Sequence, residues 1–467
     1  MTVHTTHPVS EPPAAPIRET TGHLLLRGWC IFVLAAALGG TGWLMAFGTV
    51  GSAAVAVGSA LVSIVLWLVL RPAVQWRRLP WFVVWYVLWA IASLIWSAWP
   101  EATGLTLILL VSTTVQAFFV GAVLTWRELI RAVASALKWV LGLSVLFEVW
   151  VSVIWRGPIL PGFVRPDGPV DDPIVYWSRN NLFDWDGRLQ GIFGNANALA
   201  YVSLLAIVVF LARYVSRAPR RALLLLWTLL AAFLFVRAGS ATAYLAAAAT
   251  VIVLITVLLM RTVRRPGGRT KYYLVFALVA VGGVIALWLL RDRVFAFLGR
   301  SSDLTGREGI WALVWERAVE HPVIGWGFST PWLPTDPAFD GWIVDHGETV
   351  MQAHNMWLDV FLQLGAVGVL LMALTYLAYT WRSWFFAIDR PRWDLVADRP
   401  YSPLTLVPTL MAAQLLVQGM AESTPLLNWG WVFLVMFAFK IKQAPLVGRG
   451  PSEMRLTGEQ GERLTDR

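Results

Sequence analysis

The sequence predicts an all-α polytopic membrane protein of about 12 transmembrane helices, with a large extracytoplasmic loop carrying short amphipathic helices. Three observations lead there. Of 467 residues, 58% are hydrophobic and 14% charged, more apolar surface than a soluble chain of this length can bury. Apolar runs close to the roughly 20 residues that cross a hydrocarbon core of about 30 Å recur along the chain. Those runs lack the alternation of β-barrel strands, the other fold that satisfies its backbone in lipid.

In chain order the runs fall at 28–47, 50–70, 80–99, 103–125, 132–155, 191–212, 221–237, 240–260, 272–290, 357–381, 403–421 and 427–441. Basic residues cluster in alternate connections: Arg71, Arg77 and Arg78; Arg127, Arg131 and Lys138; Arg213, Arg217, Arg220 and Arg221; Arg261, Arg264, Arg265, Arg269 and Lys271; Arg382, Arg390, Arg392 and Arg399. The positive-inside rule puts these, and both termini, in the cytoplasm of a cell-membrane protein. The net charge of +9 is then a topology signal, and no nucleic-acid partner is expected. Residues 1–23 read as a disordered, Pro-rich cytoplasmic tail. Their flanking apolar run starts too late and is too long for a cleavable signal. Residues 24–442 read as a single transmembrane domain, with outer loops at about 156–190 and 291–356, and 443–467 as a cytoplasmic tail. One cysteine, Cys30, excludes an intramolecular disulfide and a Cys-based metal site.

The two long outer loops hold the polar chemistry. Long loops are functional or disordered, and these are rich in aromatics, including Tyr176, Trp177, Phe183, Trp185, Trp311 and Trp315. They also keep Arg156, Arg165, Arg179, Arg188, Arg291, Arg293, Arg300, Arg307 and Arg317 on the side where basic residues are scarce, as a protein does when it must hold an anion there. Thr305 and Glu308 form a capping box, followed at helical spacing by Ile310, Leu313, Val314 and Ala318, with Glu316, Arg317 and Glu320 towards another face and Pro322 as the stop. This predicts a short amphipathic helix on the outer surface; a lid that only packs on the bundle is the plainer alternative.

Histidine is the usual proton acceptor near neutral pH. His4, His7 and His23 are read as tail residues, and His321, His346 and His354 lie in the second outer loop. His354 stands just before a span in "QAHNMWLDVFLQLG", where Gln352, Asn355, Asp359 and Gln363 form a polar stripe. It is expected in the bend that precedes helical geometry; a surface histidine at a helix start is the alternative. His321 and His346 read as structural or exposed. Arg237, Ser240, Thr242 and Glu148 suggest an outward-facing cavity, since polar groups are costly in lipid. Gln414, Gln418 and Glu422 lie at i, i+4, i+8, which fits helix–helix glue, and Trp81, Trp85, Trp89 and Trp96 fit interfacial anchoring and lipid contact. Asp171 and Asp172 read as solvated acids, and neither a metal nor another cofactor is expected.

Four stretches in order resemble the O-antigen ligase and Wzy-type polysaccharide polymerase superfamily: "GRLQGIFGNANALA" at 187–200, "AGSATAYLA" at 238–246, "LTGREGIWALVWERAVEHPVIGWGF" at 304–328 and "HNMWLDVFLQLGAVG" at 354–368. The resemblance covers about 185–380 by motif and the rest by topology. It implies transfer of a glycan from an undecaprenyl-pyrophosphate-linked donor to an acceptor hydroxyl, on a glycan or glycolipid, at the outer face of the cytoplasmic membrane. It further implies a metal-independent inverting displacement. On that reading Arg188 and Arg307 bind pyrophosphate, His354 takes the proton of the acceptor hydroxyl, and Asn195, Asn197, Asn355, Asp359 and Glu422 line the cavity. Where the family has a second arginine this chain has Ala241, and Arg237, one turn earlier, is the candidate substitute. Polymerase and ligase differ in acceptor, and the sequence does not choose firmly between them. A transporter or lipid-linked glycan flippase would instead carry inverted repeats, broken helices and mid-membrane charge, and a scaffold would have no use for the loop histidines and arginines.

Overall fold

The computed structural model describes residues 21–164, 176–263, 267–290, 293, 307–345, 347–389 and 401–443. The described residues form thirteen α-helices: α1 (Thr21–Leu38), α2 (Gly40–Leu70), α3 (Trp81–Ala92), α4 (Pro100–Val123), α5 (Trp126–Trp150), α6 (Ala196–Val215), α7 (Arg221–Ala238), α8 (Ala241–Thr262), α9 (Thr270–Leu289), α10 (Arg307–Ala318), α11 (Met356–Ile388), α12 (Val407–Gly419) and α13 (Trp429–Gln443). Eight of the helical stretches are long and apolar enough to cross a membrane: α1, α2, α4, 126–155, α6, α7, α8 and α11. Helical residues 81–95, 270–283 and 403–419 are apolar but shorter. The protein is thus a multi-pass membrane protein. Among the described residues the only sheet is a hairpin of two two-residue strands, Val344–Asp345 with Glu348–Thr349.

The first helix departs from expectation. It starts at Thr21, and His23 is not a tail residue: it is buried, with Nε2 2.7 Å from Glu128 of α5. Glu128 is itself held in a capping box with Thr125 at the start of α5. The pairing draws the chain into the bundle earlier than hydropathy alone indicates. At the other end the first run divides at Gly39, and α2 breaks at Gly48, so the expected span 28–47 is shared between two helices.

The core is built around α5, α6, α12 and α13, whose inner faces are fully buried. Gln414 of α12 donates to the carbonyl of Tyr201 at 2.6 Å, the interhelical glue expected of it. At one end of the bundle, connections near residues 75–79, 124 and 440–443 are tied together: Lys440 Nζ donates to Leu124 O at 2.5 Å, Lys442 Nζ to Leu79 O, and Gln443 bonds Gln75 and Arg78. Arg261 and Arg269 likewise fasten the end of α8 and the start of α9 to 387–389. Several of the basic connections therefore double as internal ties.

The helix break in α11 organises the opposite end. At Gly365, φ is +63°, which a side chain adopts rarely. The amides of Trp326 and Gly327 donate to the carbonyls of Leu362 and Gln363 at 3.0 and 2.9 Å, and the amides of Ala366 and Val367 donate to Pro322 and Val323 at 2.8 and 3.2 Å. A Cβ at Gly325 would lie 2.4 Å from the Gln363 carbonyl carbon, and one at Gly365 2.3 Å from that of Val323. Two backbones meet here at a distance only glycine permits. Backbone groups freed in an apolar setting must find partners within the protein, and the 322–327 segment supplies them. Trp89 and Trp96 complete the arrangement by donating to Leu364 O and Ile324 O. These two tryptophans are therefore structural, whereas Trp81 and Trp85 are exposed on the bundle surface.

Candidate active site

The site lies where the ends of α6, α7, α10, α11 and α12 converge. Its centre is Glu422, just beyond α12 and buried. Its Oε1 accepts from Asn197 Nδ2 at 2.9 Å and from Arg307 Nη2 at 3.1 Å. Its Oε2 stands 3.4 Å from His354 Nδ1. Asn197 Oδ1 in turn accepts from Arg188 Nη2 at 2.7 Å. Two arginines, an amide and an imidazole, from three separate stretches of chain, thus converge directly or through one residue on a single carboxylate. Burial opposes the charged form of Glu422, but the hydrogen bond and charge of His354, the charge of Arg307 and the Asn197 amide outweigh it and hold the carboxyl below its usual range.

His354 occupies the bend before α11, as the sequence suggested, with φ of +50°. Non-glycine residues in this region carry backbone strain and cluster at functional sites. The turn is fixed on both sides. Asn355 caps α11 by accepting from the amides of Trp357 and Leu358. Asp359 Oδ2 accepts from Ala353 N at 3.1 Å, and Trp311 Nε1 of α10 donates to Ala353 O at 2.9 Å. Gln352 Oε1 accepts from the Ser423 amide at 3.2 Å, tying the histidine turn to the segment carrying Glu422. The polar stripe is therefore largely a fastening. Asp359 and Gln363 are buried, and Gln363 Oε1 accepts from Ser329 N and Thr330 Oγ1.

Arg188 is placed by backbone contacts as well: its Nε donates to Ala238 O at 2.7 Å, and Asn181 Nδ2 donates to its carbonyl at 3.2 Å. Asn195 is the N-cap of α6, accepting from the amides of Asn197 and Ala198. It is a helix cap, and the geometry brings Asn197 rather than Asn195 into the cluster. Arg237 stands apart. Its Nη1 donates to Trp185 O and Gly187 O at 3.1 and 3.2 Å, and its Nη2 to Asn181 O and Asp184 O at 2.6 and 2.5 Å. The guanidinium also lies over the Trp185 ring, 4.7 Å from its centroid. Both terminal nitrogens are committed to the 181–187 loop, so Arg237 holds in place the segment that leads into Arg188. Glu148 does similar work, accepting from Gln190 N, Gly191 N and Ser178 Oγ at 3.2, 2.7 and 2.8 Å.

Helix α10 buries Ile310, Val314 and Ala318, while Leu313 is exposed. Arg317 does not point away from the protein: it donates to Ala338 O at 3.0 Å and lies 3.6 Å over the Trp342 ring. The Thr305–Glu308 capping box extends outside the described residues, as do Asp171, Asp172 and His346. The helix ends at Ala318, four residues before Pro322, and His321 packs edge-on to Trp326. Between α10 and α11 runs an apolar groove of about 900 Å³, lined by Trp311, Trp315, Trp357, Phe361 and Leu370 and reaching Asn355, next in chain to His354. Trp311, which the sequence marked only as a loop aromatic, belongs to both groove and histidine turn. Its contact to Ala353 spans loop residues with no local pattern, so no sequence signal could have revealed it.

Residues 226–373 match the family model described as O-antigen ligase. The matched stretch contains Arg237, Arg307, His354 and Asp359; Arg188, Asn197 and Glu422 lie outside it. No curated protein matches the chain.

Proposed function

We propose that this chain, which carries an O-antigen ligase domain, transfers a glycan from a polyprenyl-pyrophosphate-linked donor to an acceptor hydroxyl at the outer face of the cytoplasmic membrane. The observation that carries this reading is the convergence of Arg188, through Asn197, with Arg307 and His354 on Glu422. A lipid pyrophosphate is a good leaving group, so the protein's task is to hold charge as the bond to C1 of the sugar breaks. Guanidinium groups suit phosphate oxygens, and Arg188 and Arg307 take that role. His354 accepts the proton of the attacking hydroxyl. A single displacement of this kind inverts the anomeric centre and needs no metal. The apolar groove beside Asn355 supports a lipid-linked donor over a water-soluble one.

In this reading the chain crosses the membrane about twelve times, with the basic connections in the cytoplasm and the His354 end outside. Arg237 acts as the positioning residue for the 181–188 segment. The broken helix α11 is a feature a transporter would also have. There the broken ends would face a substrate; here the carbonyls at Leu362, Gln363 and Leu364 are taken by Trp326, Gly327 and Trp89, which favours a transferase.

Reconstitution into vesicles with undecaprenyl-pyrophosphate-linked oligosaccharide tests the reading. Wild-type protein releases undecaprenyl pyrophosphate and lengthens or transfers the glycan, and His354→Ala does neither. Movement of labelled lipid between leaflets with no bond broken would replace the transferase with a flippase. Supplying a second donor glycan or a glycolipid as acceptor separates polymerase from ligase.

A further inference from the structure

Three groups meet at Glu422, and its two oxygens divide them. Oε1 faces the cationic side, Arg307 from α10 and the amide of Asn197 from α6, while among the described residues Oε2 has His354 as its partner. An imidazole contacting a carboxylate through Nδ1 keeps its proton there, and Nε2 is then the unprotonated, basic nitrogen. The contact of 3.4 Å is at the long end of a hydrogen bond, as unloaded catalytic pairs often are before they tighten on substrate. Other titratable groups nearby are Tyr201 of α6, which interacts electrostatically with Glu422, and Asp359 of α11, which interacts likewise with His354.

We propose that Glu422 is a positioning residue that fixes the tautomer and pose of His354 with one oxygen and the spacing of Arg307 and the Asn197–Arg188 pair with the other. This rests on the transferase reading. As the acceptor oxygen bonds to C1 of the donor sugar and the bond from C1 to the pyrophosphate oxygen breaks, the electron pair leaves with the pyrophosphate. The hydroxyl proton passes to His354 Nε2. The imidazolium so formed has Glu422 across its Nδ1, so the carboxylate stabilises the charge that develops on the base without touching substrate.

Glu422→Gln preserves size but places either an amide N–H or an uncharged oxygen opposite Nδ1. With the N–H there, Nδ1 becomes the acceptor, the proton moves to Nε2, and the base is blocked. Two measurements on the full chain test this. In ¹⁵N-histidine NMR, wild-type His354 carries its proton on Nδ1 and Glu422→Gln moves it to Nε2. In transfer assays with undecaprenyl-pyrophosphate oligosaccharide, Glu422→Gln lowers kcat by about 10²- to 10⁴-fold, the range a general base supplies, with a much smaller change in donor KM. Glu422→Asp keeps the charge and recovers part of kcat with the Nδ1 proton restored. A kcat for Glu422→Gln within about 3-fold of wild type, or a lost kcat with the tautomer unmoved, overturns the proposal. A tautomer switch in a protein whose wild type transfers no glycan would remove the transferase reading and leave the positioning role intact.

Discussion

The indole of Trp311 donates to the carbonyl of Ala353 at 2.9 Å, so a helix on one side of the apolar groove holds the residue just before His354. The groove wall and the base are thereby one mechanical unit. Trp311→Phe keeps the apolar wall and removes the donor. The loss of one hydrogen bond costs about 1 kcal/mol of stability. Transfer by this variant should fall about 10-fold or more, because small displacements of a positioned group are costly to rate. Unfolding midpoints and initial rates measured together check this; an unchanged rate would mean that Asp359, Asn355 and Gln352 hold the turn without it.

The paired glycines give a sharper test of the fold. A methyl group at Gly365 meets the Val323 backbone at 2.3 Å and must also adopt φ of +63°. Gly365→Ala, and likewise Gly325→Ala, should abolish accumulation of folded protein, whereas Gly58→Ala, which meets nothing within 4 Å, should be tolerated. Monodisperse yield in detergent measures the contrast.

Much of the fold was legible because lipid imposes one rule on every span. Apolar length announced the helices, and the helical spacing of Ile310, Val314 and Ala318 announced α10. The break in α11 was not legible: "FLQLGAVG" reads as continuous apolar helix, and only the return of "VIGWGF" beside it reveals why the glycines are there. For the same reason Trp89 and Trp96 looked like lipid anchors. Within the site, His354 could be placed in a bend because the polar stripe of α11 excluded it from the helical face. Arg237 is read as the substitute for the second arginine from its place one turn before Ala241, and that position gives no sign of what its donors reach. Four backbone carbonyls of the 181–187 loop reach it first. Glu422 was legible as a candidate but not as the hub, since its partners lie 225, 115 and 68 residues away.

His354 adopts the left-handed region, with φ of +50°, which reverses an ordinary preference. Alanine is normally the more stabilising of the two small residues, because glycine leaves the unfolded chain freer. At position 354 both lose the Glu422 contact, but only alanine retains the backbone strain, worth about 1–2 kcal/mol. His354→Gly should therefore be at least as stable as His354→Ala, while both are inactive in transfer. Thermal unfolding of the two variants side by side is sufficient; a clearly more stable alanine variant would place this backbone elsewhere in φ/ψ space.

The Glu422 carboxyl is held below its ordinary value of 4.5, and this fixes the sign of a pH effect. The unfolded chain takes up its proton first as pH falls, so the stabilisation is complete above about 4.5 and is lost as pH drops through the lower folded value. The difference in unfolding midpoint between wild type and Glu422→Gln should be flat from neutral pH to about 4.5 and close below it. A difference that stayed constant on acidification through that value would mean that the charge of Glu422 contributes none of the stability.

Orientation can be tested independently of chemistry. Cys30 is the sole cysteine and is buried, so single cysteines introduced in a Cys30→Ala background report on one site each. Trp185, on the loop that Arg237 holds, is 74% exposed, and Arg217 lies in the connection between α6 and α7. If the basic connections are cytoplasmic, a membrane-impermeant maleimide added to intact cells labels Trp185→Cys and leaves Arg217→Cys unlabelled until the membrane is opened. The reverse pattern would put His354 and both site arginines on the cytoplasmic side. A donor presented at the outer leaflet would then be out of their reach, whatever the site can do.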